Sequence, residues 1–334
     1  MAAQVTIIGL GQLGGSVGLA LAAHREKFQI VGHDKNADTA RAAQKAGAVD
    51  SIQFNLPTSV EQADLVILSL PLEEVRETLN FIREDLKDGV VVLDASPAKR
   101  QGETWAREIL PTGRYYLGLV PSISPTRLLE IGGGLDGAHD DLFQGATFLV
   151  CPPSGTPDSA VRLATDFVAL LGATPILSDS TEADGLLAAM VTLPKLLAVS
   201  LVNTTMDKPG WRDAQNLAGR SYAMPVASTF DREEADSLRE SALANRDNLV
   251  RVLDGYIASL RELRDKIQNE ERDALDAQLR AAQTKAYEWL AERHLEKYSL
   301  SDQADGGKGP SNSFGARLKQ SLFGSLVNPN RDEK

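Results

Sequence analysis

Val5-Thr6-Ile7-Ile8-Gly9-Leu10-Gly11-Gln12-Leu13-Gly14-Gly15-Ser16 joins a short β-branched apolar run to three glycines spaced G-x-G-x-x-G. An alanine-rich segment, Ser16 to Ala23, follows and reads as a helix. The glycines differ in what they make possible. Gly9 permits the tight turn, Gly11 lets the backbone approach a pyrophosphate, and Gly14 lets helix and strand pack closely. Gln29-Ile30-Val31-Gly32-His33-Asp34 reads as a second strand ending in an acid. At that distance from the glycines a carboxylate accepts hydrogen bonds from an adenosine ribose and repels a 2'-phosphate. The stretch therefore predicts a dinucleotide site built from Gly9, Leu10, Gly11, Gln12, Leu13, Gly14 and Asp34. NAD is the expected cofactor, with NADP left open by Lys35 beside Asp34.

Working outward, strand and helix keep alternating. Ala37 to Ala46 reads as helix and Val49 to Phe54 as a third strand. Asp64 to Leu70 is a nearly continuous apolar run, as a parallel strand buried on both faces should be, and Pro71 closes it. A helix (Leu72 to Leu86), a strand (Gly89 to Asp94), two strands (Tyr115 to Pro121 and Ala146 to Val150), a helix (Asp158 to Leu171) and a strand (Thr174 to Leu177) complete the series. The fold class expected is α/β, an N-terminal Rossmann doubly wound parallel sheet followed by an all-α dimerisation domain. Ligands of such sheets bind beyond the carboxyl ends of the strands. The segments after Ile8, Asp34, Leu70 and Asp94 should then face one crevice, which adds Leu70 and Pro71 to the cofactor-binding residues. Pro121 to Phe143, rich in Gly, Ser and Pro, has the length of a functional lid.

From Glu182 to about Arg293 no strand pattern is found, and helical runs cover Glu182 to Met206, Glu233 to Ile267 and Glu270 to His294. The expected division is residues 1–179, 180–300 and a flexible tail, 301–334. Within the tail, Phe314 to Phe323 reads as a frayed end or a short amphipathic helix. The apolar stretch Leu186 to Val202 exceeds what one small domain buries, so a homodimer through the helices is expected. A length of 334 residues suits two cores. A net charge of −11 argues against general nucleic-acid binding. No uninterrupted apolar run is long enough to span a bilayer, so no membrane partner is expected. The chain enters a strand at once, without a leader pattern. One cysteine, Cys151, excludes an internal disulfide, reads as a core residue, and fits a reducing cytoplasm. The four histidines have no metal-site spacing.

The order of motifs, with G-L-G-Q-L-G-G-S first, Leu68-Ser69-Leu70-Pro71 after the fourth strand, Asp94 to Lys99 after the fifth and helices thereafter, resembles the prephenate (or arogenate) dehydrogenases from about Val5 to Ile267. Asp141-Leu142-Phe143-Gln144-Gly145-Ala146 is similar to the family's segment before its last Rossmann strand. The resemblance implies oxidation of prephenate by NAD or NADP with loss of carbon dioxide, giving 4-hydroxyphenylpyruvate on the way to tyrosine. It also implies a helical dimerisation domain.

The substrate motifs depart from that family. Its Asp-x-Gly-Ser-x-Lys appears as Asp94-Ala95-Ser96-Pro97-Ala98-Lys99, and its Gly-His-Pro, with the catalytic histidine, as Leu119-Val120-Pro121. Its histidine-flanked Leu-Pro pair appears as Thr192-Leu193-Pro194-Lys195. Its Phe-Arg-Asp-x-Thr-Arg appears as Gly219-Arg220-Ser221-Tyr222-Ala223-Met224, with one arginine kept and the expected carboxylate-gripping one lost. Valine moves no proton, so Lys195 and Ser96 become the candidate catalytic residues. Lys99 and Arg220 become candidate binders of a small carboxylic acid substrate; of the four histidines only His139, in the Gly-rich stretch, has the crevice within reach, and it is not taken as a site residue. The alternative is a divergent member acting on another small hydroxy acid through Lys195, or a cofactor-binding protein without prephenate turnover.

Overall fold

Eight strands form one sheet in the order β3-β2-β1-β4-β5-β6-β7-β8. They are β1 (Ala3–Ile8), β2 (Phe28–His33), β3 (Ser51–Ile52), β4 (Leu65–Leu68), β5 (Val91–Asp94), β6 (Tyr115–Pro121), β7 (Thr147–Cys151) and β8 (Thr174–Leu177). The computed structural model describes residues 3–130, 132–229 and 235–294. The expected tail, Ser301 to Lys334 with Phe314 to Phe323, lies outside them.

β1, β4 and β5 occupy the middle of the sheet, and Ile7, Ile67, Val66, Val92 and Leu93 are each 0% exposed. This is why their sequences are continuously apolar rather than alternating: both faces are covered by helices. One face carries α1 (Gln12–Leu21), α2 (Ala37–Lys45) and α6 (Asp158–Leu170), whose buried residues share a core with β1 and β5. The other carries α4 (Leu72–Ile82) and α5 (Lys99–Ile109), joined by the short α3 (Leu56–Val60). Burying each such Leu, Ile or Val side chain contributes about 1.5–3 kcal/mol.

The sheet corrects the expected topology at one strand. β7 runs antiparallel to β6, pairing Gly118 with Cys151 and Pro121 with Phe148, while every other pair is parallel. A parallel partner requires a crossover, usually helical. The described part of the connection after Pro121 forms only 3₁₀ turns, Pro125–Arg127 and Leu135–Gly137, so the chain doubles back. Phe143 and Phe148, edge to face with centroids 5.2 Å apart, fix the return.

Several boundaries also move. α1 starts at Gln12, not Ser16, because Gly14 and Gly15 already lie in its first turns. The third strand shrinks from Val49–Phe54 to two residues at the sheet edge, where it has only β2 to pair with. The run Glu233 to Ile267 is interrupted: α11 (Ala235–Ala244) ends before Asn245, and α12 spans Arg246–Gln268.

α7 (Ser180–Leu187) begins after Asp179, whose side chain accepts from the amides of Thr181 and Glu182. A π-helical turn, Ala188–Thr192, carries it into α8 (Leu193–Thr205). Pro194 offers no backbone donor there, and π-turns of this kind relieve such a break in the ladder. The combined helix Ser180–Thr205 is long and apolar enough by composition to cross a membrane, with a mean hydropathy of 2.0 over 18 residues. Thr192, Pro194 and Lys195 break the continuity of its apolar residues. Only 22% of that window is buried, and Leu186, Met190, Val191 and Val199 are exposed. α9 (Trp211–Ala214) and α10 (Arg220–Val226) follow. Between Ser180 and His294 the described residues contain no strand.

By its contacts the chain divides into two compact units, Met1–Ser259 and Leu260–Lys334. Within the second, Lys266 donates to Gln278 of α13 (Arg272–His294) over 2.8 Å.

Candidate dinucleotide cleft and buried polar centre

The carboxyl ends of β1, β2 and β4 open onto two adjoining clefts of about 500 and 460 Å³ that share Gly11, Asp34, Lys35, Pro71 and Glu74. Gly9 and Leu70 line the second. Gly9 turns with φ +90°, and a Cβ there would sit 2.2 Å from the Ser69 carbonyl oxygen. A Cβ on Gly14 would sit 1.9 Å from the carbonyl oxygen of Gly9, so helix and turn meet backbone to backbone. In front of Gly11 nothing lies within 4 Å, and no side chain caps the start of α1. Uncapped amides at a helix N-terminus, facing an open cleft, form an anion-binding arrangement.

Asp34 couples the turn to β2. Its Oδ2 accepts from the Leu10 amide and its Oδ1 from the Asn36 amide, each over 2.8 Å. A carboxylate has about four acceptor positions, so each oxygen keeps capacity for a hydroxyl.

Leu10, Gln12 and Leu13, expected at the cofactor, do not line either cleft with their side chains. Leu10 is wholly buried in the core, and Leu13 packs against that core. The Gln12 side-chain amide instead donates to the Gly137 carbonyl over 3.0 Å, and the Ser16 hydroxyl accepts from the His139 amide over 3.0 Å. These bonds dock the segment after β6 against α1, bringing Gly134, Leu135 and Asp136 to the wall of the first cleft. His139 itself lies 3.6 Å from Glu130, beside an Arg127–Asp141 pair at 2.8 Å.

Ser96 and Lys99 belong to a different place, a buried polar centre at the end of β5. Asp94, 0% exposed, accepts at Oδ2 from the Ser96 hydroxyl (2.8 Å) and the Tyr116 hydroxyl (2.6 Å), and at Oδ1 from the Ser96 amide (2.8 Å). Lys99 is also 0% exposed, and its ammonium donates to the Asp94 carbonyl over 2.6 Å. Expected to bind a substrate carboxylate, Lys99 is enclosed, its stem lying against Gly118 of β6, where a Cβ would come within 2.9 Å of it, and its ammonium reaching a backbone acceptor. Burial lowers its pKa, opposed by Asp94, Cys151 and Asp184. Burial also pushes Cys151 up to about 11 and Tyr116 well above its ordinary value, the latter with help from Asp94. Cys151 is thus a protonated core thiol.

Asp184 of α7 completes this centre. Its carboxylate accepts from the amides of Lys99 (2.7 Å) and Arg100 (3.2 Å), capping α5 from another element, and Asn245 donates to its carbonyl over 2.6 Å. Burial raises the pKa of Asp184 even against those two amides. Sequence spacing gave no sign of Asp184, Tyr116 or Asn245: they are brought to Lys99 from other elements, Asp184 and Asn245 from far along the chain. The Gly, Ser and Pro content of Pro121 to Phe143 was the one visible hint of a segment reaching the cleft wall.

Lys195 is half-buried in the first turn of α8, just past the π-helical turn, and Arg220 is exposed at the start of α10. α10 packs on α8, with the Tyr222 and Thr205 hydroxyls 2.6 Å apart. Val120 is half-buried at the end of β6, and Met224 is 43% exposed. The candidate residues therefore fall into three groups: the glycine cleft, the Asp94 centre, and the α8–α10 pair.

Comparison with known proteins agrees with this architecture. The family model for the prephenate dehydrogenase nucleotide-binding domain matches residues 17–177, and that for the prephenate dehydrogenase dimerization domain matches residues 179–281. The chain is 24% identical over 287 residues to a prephenate dehydrogenase of Bacillus subtilis, covering 81% of this chain and 72% of that protein. It is 26% identical over 276 residues to a cyclohexadienyl dehydrogenase of Zymomonas mobilis, covering 81% and 91%. A crystal structure of prephenate dehydrogenase from A. aeolicus, in complex with hydroxyphenyl propionate and NAD+, superposes with a TM-score of 0.75 at 22% identity, covering 86% of this chain and 98% of the other. With two consecutive family domains spanning most of its length, this chain belongs to the prephenate dehydrogenase family.

Proposed function

We propose that the chain is an NAD-dependent dehydrogenase that acts on prephenate or a closely similar small carboxylic acid. The observation that carries the reading is the cleft at Gly9, Gly11 and Asp34, with an uncapped helix start on one side and a tethered carboxylate on the other. The amides of Gly11 to Leu13 hold the pyrophosphate, Asp34 receives the ribose hydroxyls, and Leu70 and Pro71 wall the site. NAD, when bound, supplies the hydride acceptor. Lys195 takes the proton that leaves the substrate, and Arg220 holds its carboxylate. Ser96, tied to Asp94, acts by positioning rather than by touching substrate. The protein works in the cytoplasm as a homodimer, residues 180–300 forming its substrate and dimerisation domain. The exposed Leu186, Met190, Val191 and Val199 favour that assembly.

Removing Asp34 tests the cofactor half. Asp34→Ala is expected to weaken NAD about tenfold, the loss of charge-assisted hydrogen bonds, and NADP less. Titration calorimetry with both nucleotides reads the ratio, which is insensitive to damage to the turn because both nucleotides share it. Equal losses would remove the ribose role.

Following NAD reduction with prephenate and with arogenate tests the other half. Turnover in the ordinary enzyme range supports the proposal, and Lys195→Ala should then lower it about 10²- to 10⁴-fold, the usual contribution of a general base. An unchanged rate removes Lys195 from the reaction. Val120, where the family carries its histidine, favours a second reading: a dinucleotide-binding member without prephenate turnover. NAD binding with no reduction in either assay would establish that reading over the first.

A further inference from the structure

We propose that Glu74 sets the nucleotide preference of this chain by occupying Lys35, so that the cleft accepts a free adenosine ribose and refuses one bearing a 2'-phosphate. The inference rests on the reading that a dinucleotide binds at Gly11 and Asp34. Lys35 follows the acidic residue at the end of β2, the position from which a cation would meet a 2'-phosphate. It is the only cation among the described residues lining the first cleft, where Asp34, Asp38, Glu73, Glu74 and Asp136 supply five carboxylates.

The Lys35 ammonium is ion-paired with Glu74 Oε1. The two partners differ in freedom: the Lys35 side chain is 70% exposed, whereas Glu74 is 27% exposed. Glu74 is held in the first turn of α4, its amide bonded to the Pro71 carbonyl. Glu74 is thus the more enclosed member, and its ion pair holds the Lys35 ammonium on β4's side of the cleft. Asp34 is fixed as well, by the amides of Leu10 and Asn36. A ribose hydroxyl adds no charge to this setting, whereas a phosphate monoester adds about −1.5 to −2. With Lys35 already neutralised, that charge faces carboxylates alone. Asp34 repels the phosphate directly, and Glu74 acts by withholding the one counter-charge.

The test is equilibrium binding of NAD and of NADP to the purified full-length chain by titration calorimetry, a readout that needs no turnover. Glu74→Gln should tighten NADP about tenfold, the scale expected when one nearby charge is removed in a partly solvated site, and change NAD by less than about twofold. The double variant Glu74→Gln, Lys35→Gln should lose that gain, since the liberated ammonium is its source. An unchanged NADP-to-NAD ratio in Glu74→Gln, or a gain that survives in the double variant, overturns the role of Glu74. Wild-type protein that binds NADP as tightly as NAD overturns it too. Failure of both nucleotides to bind overturns instead the dinucleotide reading itself, and the inference with it.

Discussion

Gly14→Ala is expected to destabilise the fold, while Gly11→Ala is expected to leave the fold intact and remove most of the dinucleotide affinity. The two glycines lie three residues apart in one motif, but they answer to different neighbours. A methyl on Gly14 would stand 1.9 Å from the Gly9 carbonyl oxygen and 3.1 Å from Ile7 Cγ2. Gly9 cannot retreat, because its φ of +90° and its amide bond to the His33 carbonyl fix the turn. The helix propensity of alanine, worth about 1 kcal/mol over glycine, is outweighed by this clash, and a net loss of about 2–3 kcal/mol is expected from overpacking of this kind. At Gly11 the methyl meets nothing within 4 Å, and a φ of −70° suits alanine. It would instead fill the space that a pyrophosphate needs. Loss of one or two charge-assisted hydrogen bonds, about 1.5–3 kcal/mol each, corresponds to at least tenfold to a hundredfold in affinity. Urea unfolding and NAD titration on both variants check this, and a Gly11→Ala protein that binds NAD as wild type does would refute the site.

Lys99→Met is expected to destabilise the protein by about 3–5 kcal/mol, the usual result of removing one member of a buried ionic cluster. Methionine matches the lysine stem in length and flexibility, so little cavity is made. The Asp94 carbonyl, however, loses its 2.6 Å donor, and Asp94 and Asp184 lose the positive charge between them. Against a total stability of about 5–15 kcal/mol, this loss is large. The measurement separates two roles for Lys99. A residue that grips substrate would raise KM on removal and leave the unfolding midpoint unchanged. An internal brace moves the midpoint first. Denaturant unfolding of Lys99→Met with an unmoved midpoint would return Lys99 to the substrate site.

How much was legible follows from where each signal resides. The strands β1, β4 and β5 and the glycine turn depend on local patterns: apolar runs, glycine spacing and an acid one strand later. The same holds for β6 and β8, read with their observed bounds from short apolar runs between turn residues. The reversal of β7 was not legible, since a strand's own residues do not record its direction; that was set by a connection too poor in helix formers to cross over. Among the candidate residues, Lys99 and Ser96 were visible as a motif, but their burial was not. Burial came from Tyr116 on β6, Cys151 on β7 and Asp184 on α7 closing around them.

The sequence by itself determined the dinucleotide turn, because its requirements are backbone requirements: a left-handed residue at Gly9, open space at Gly11, and close packing at Gly14 are properties of residues lacking a Cβ. It determined the family as well, through the order of motifs. Only the tertiary structure decided what the charged residues do. A lysine reads the same in sequence whether it faces solvent, as Lys35 does beside Glu74, or is enclosed, as Lys99 is. Its role depends on which distant carboxylate the fold brings within reach, and on how much water remains between them.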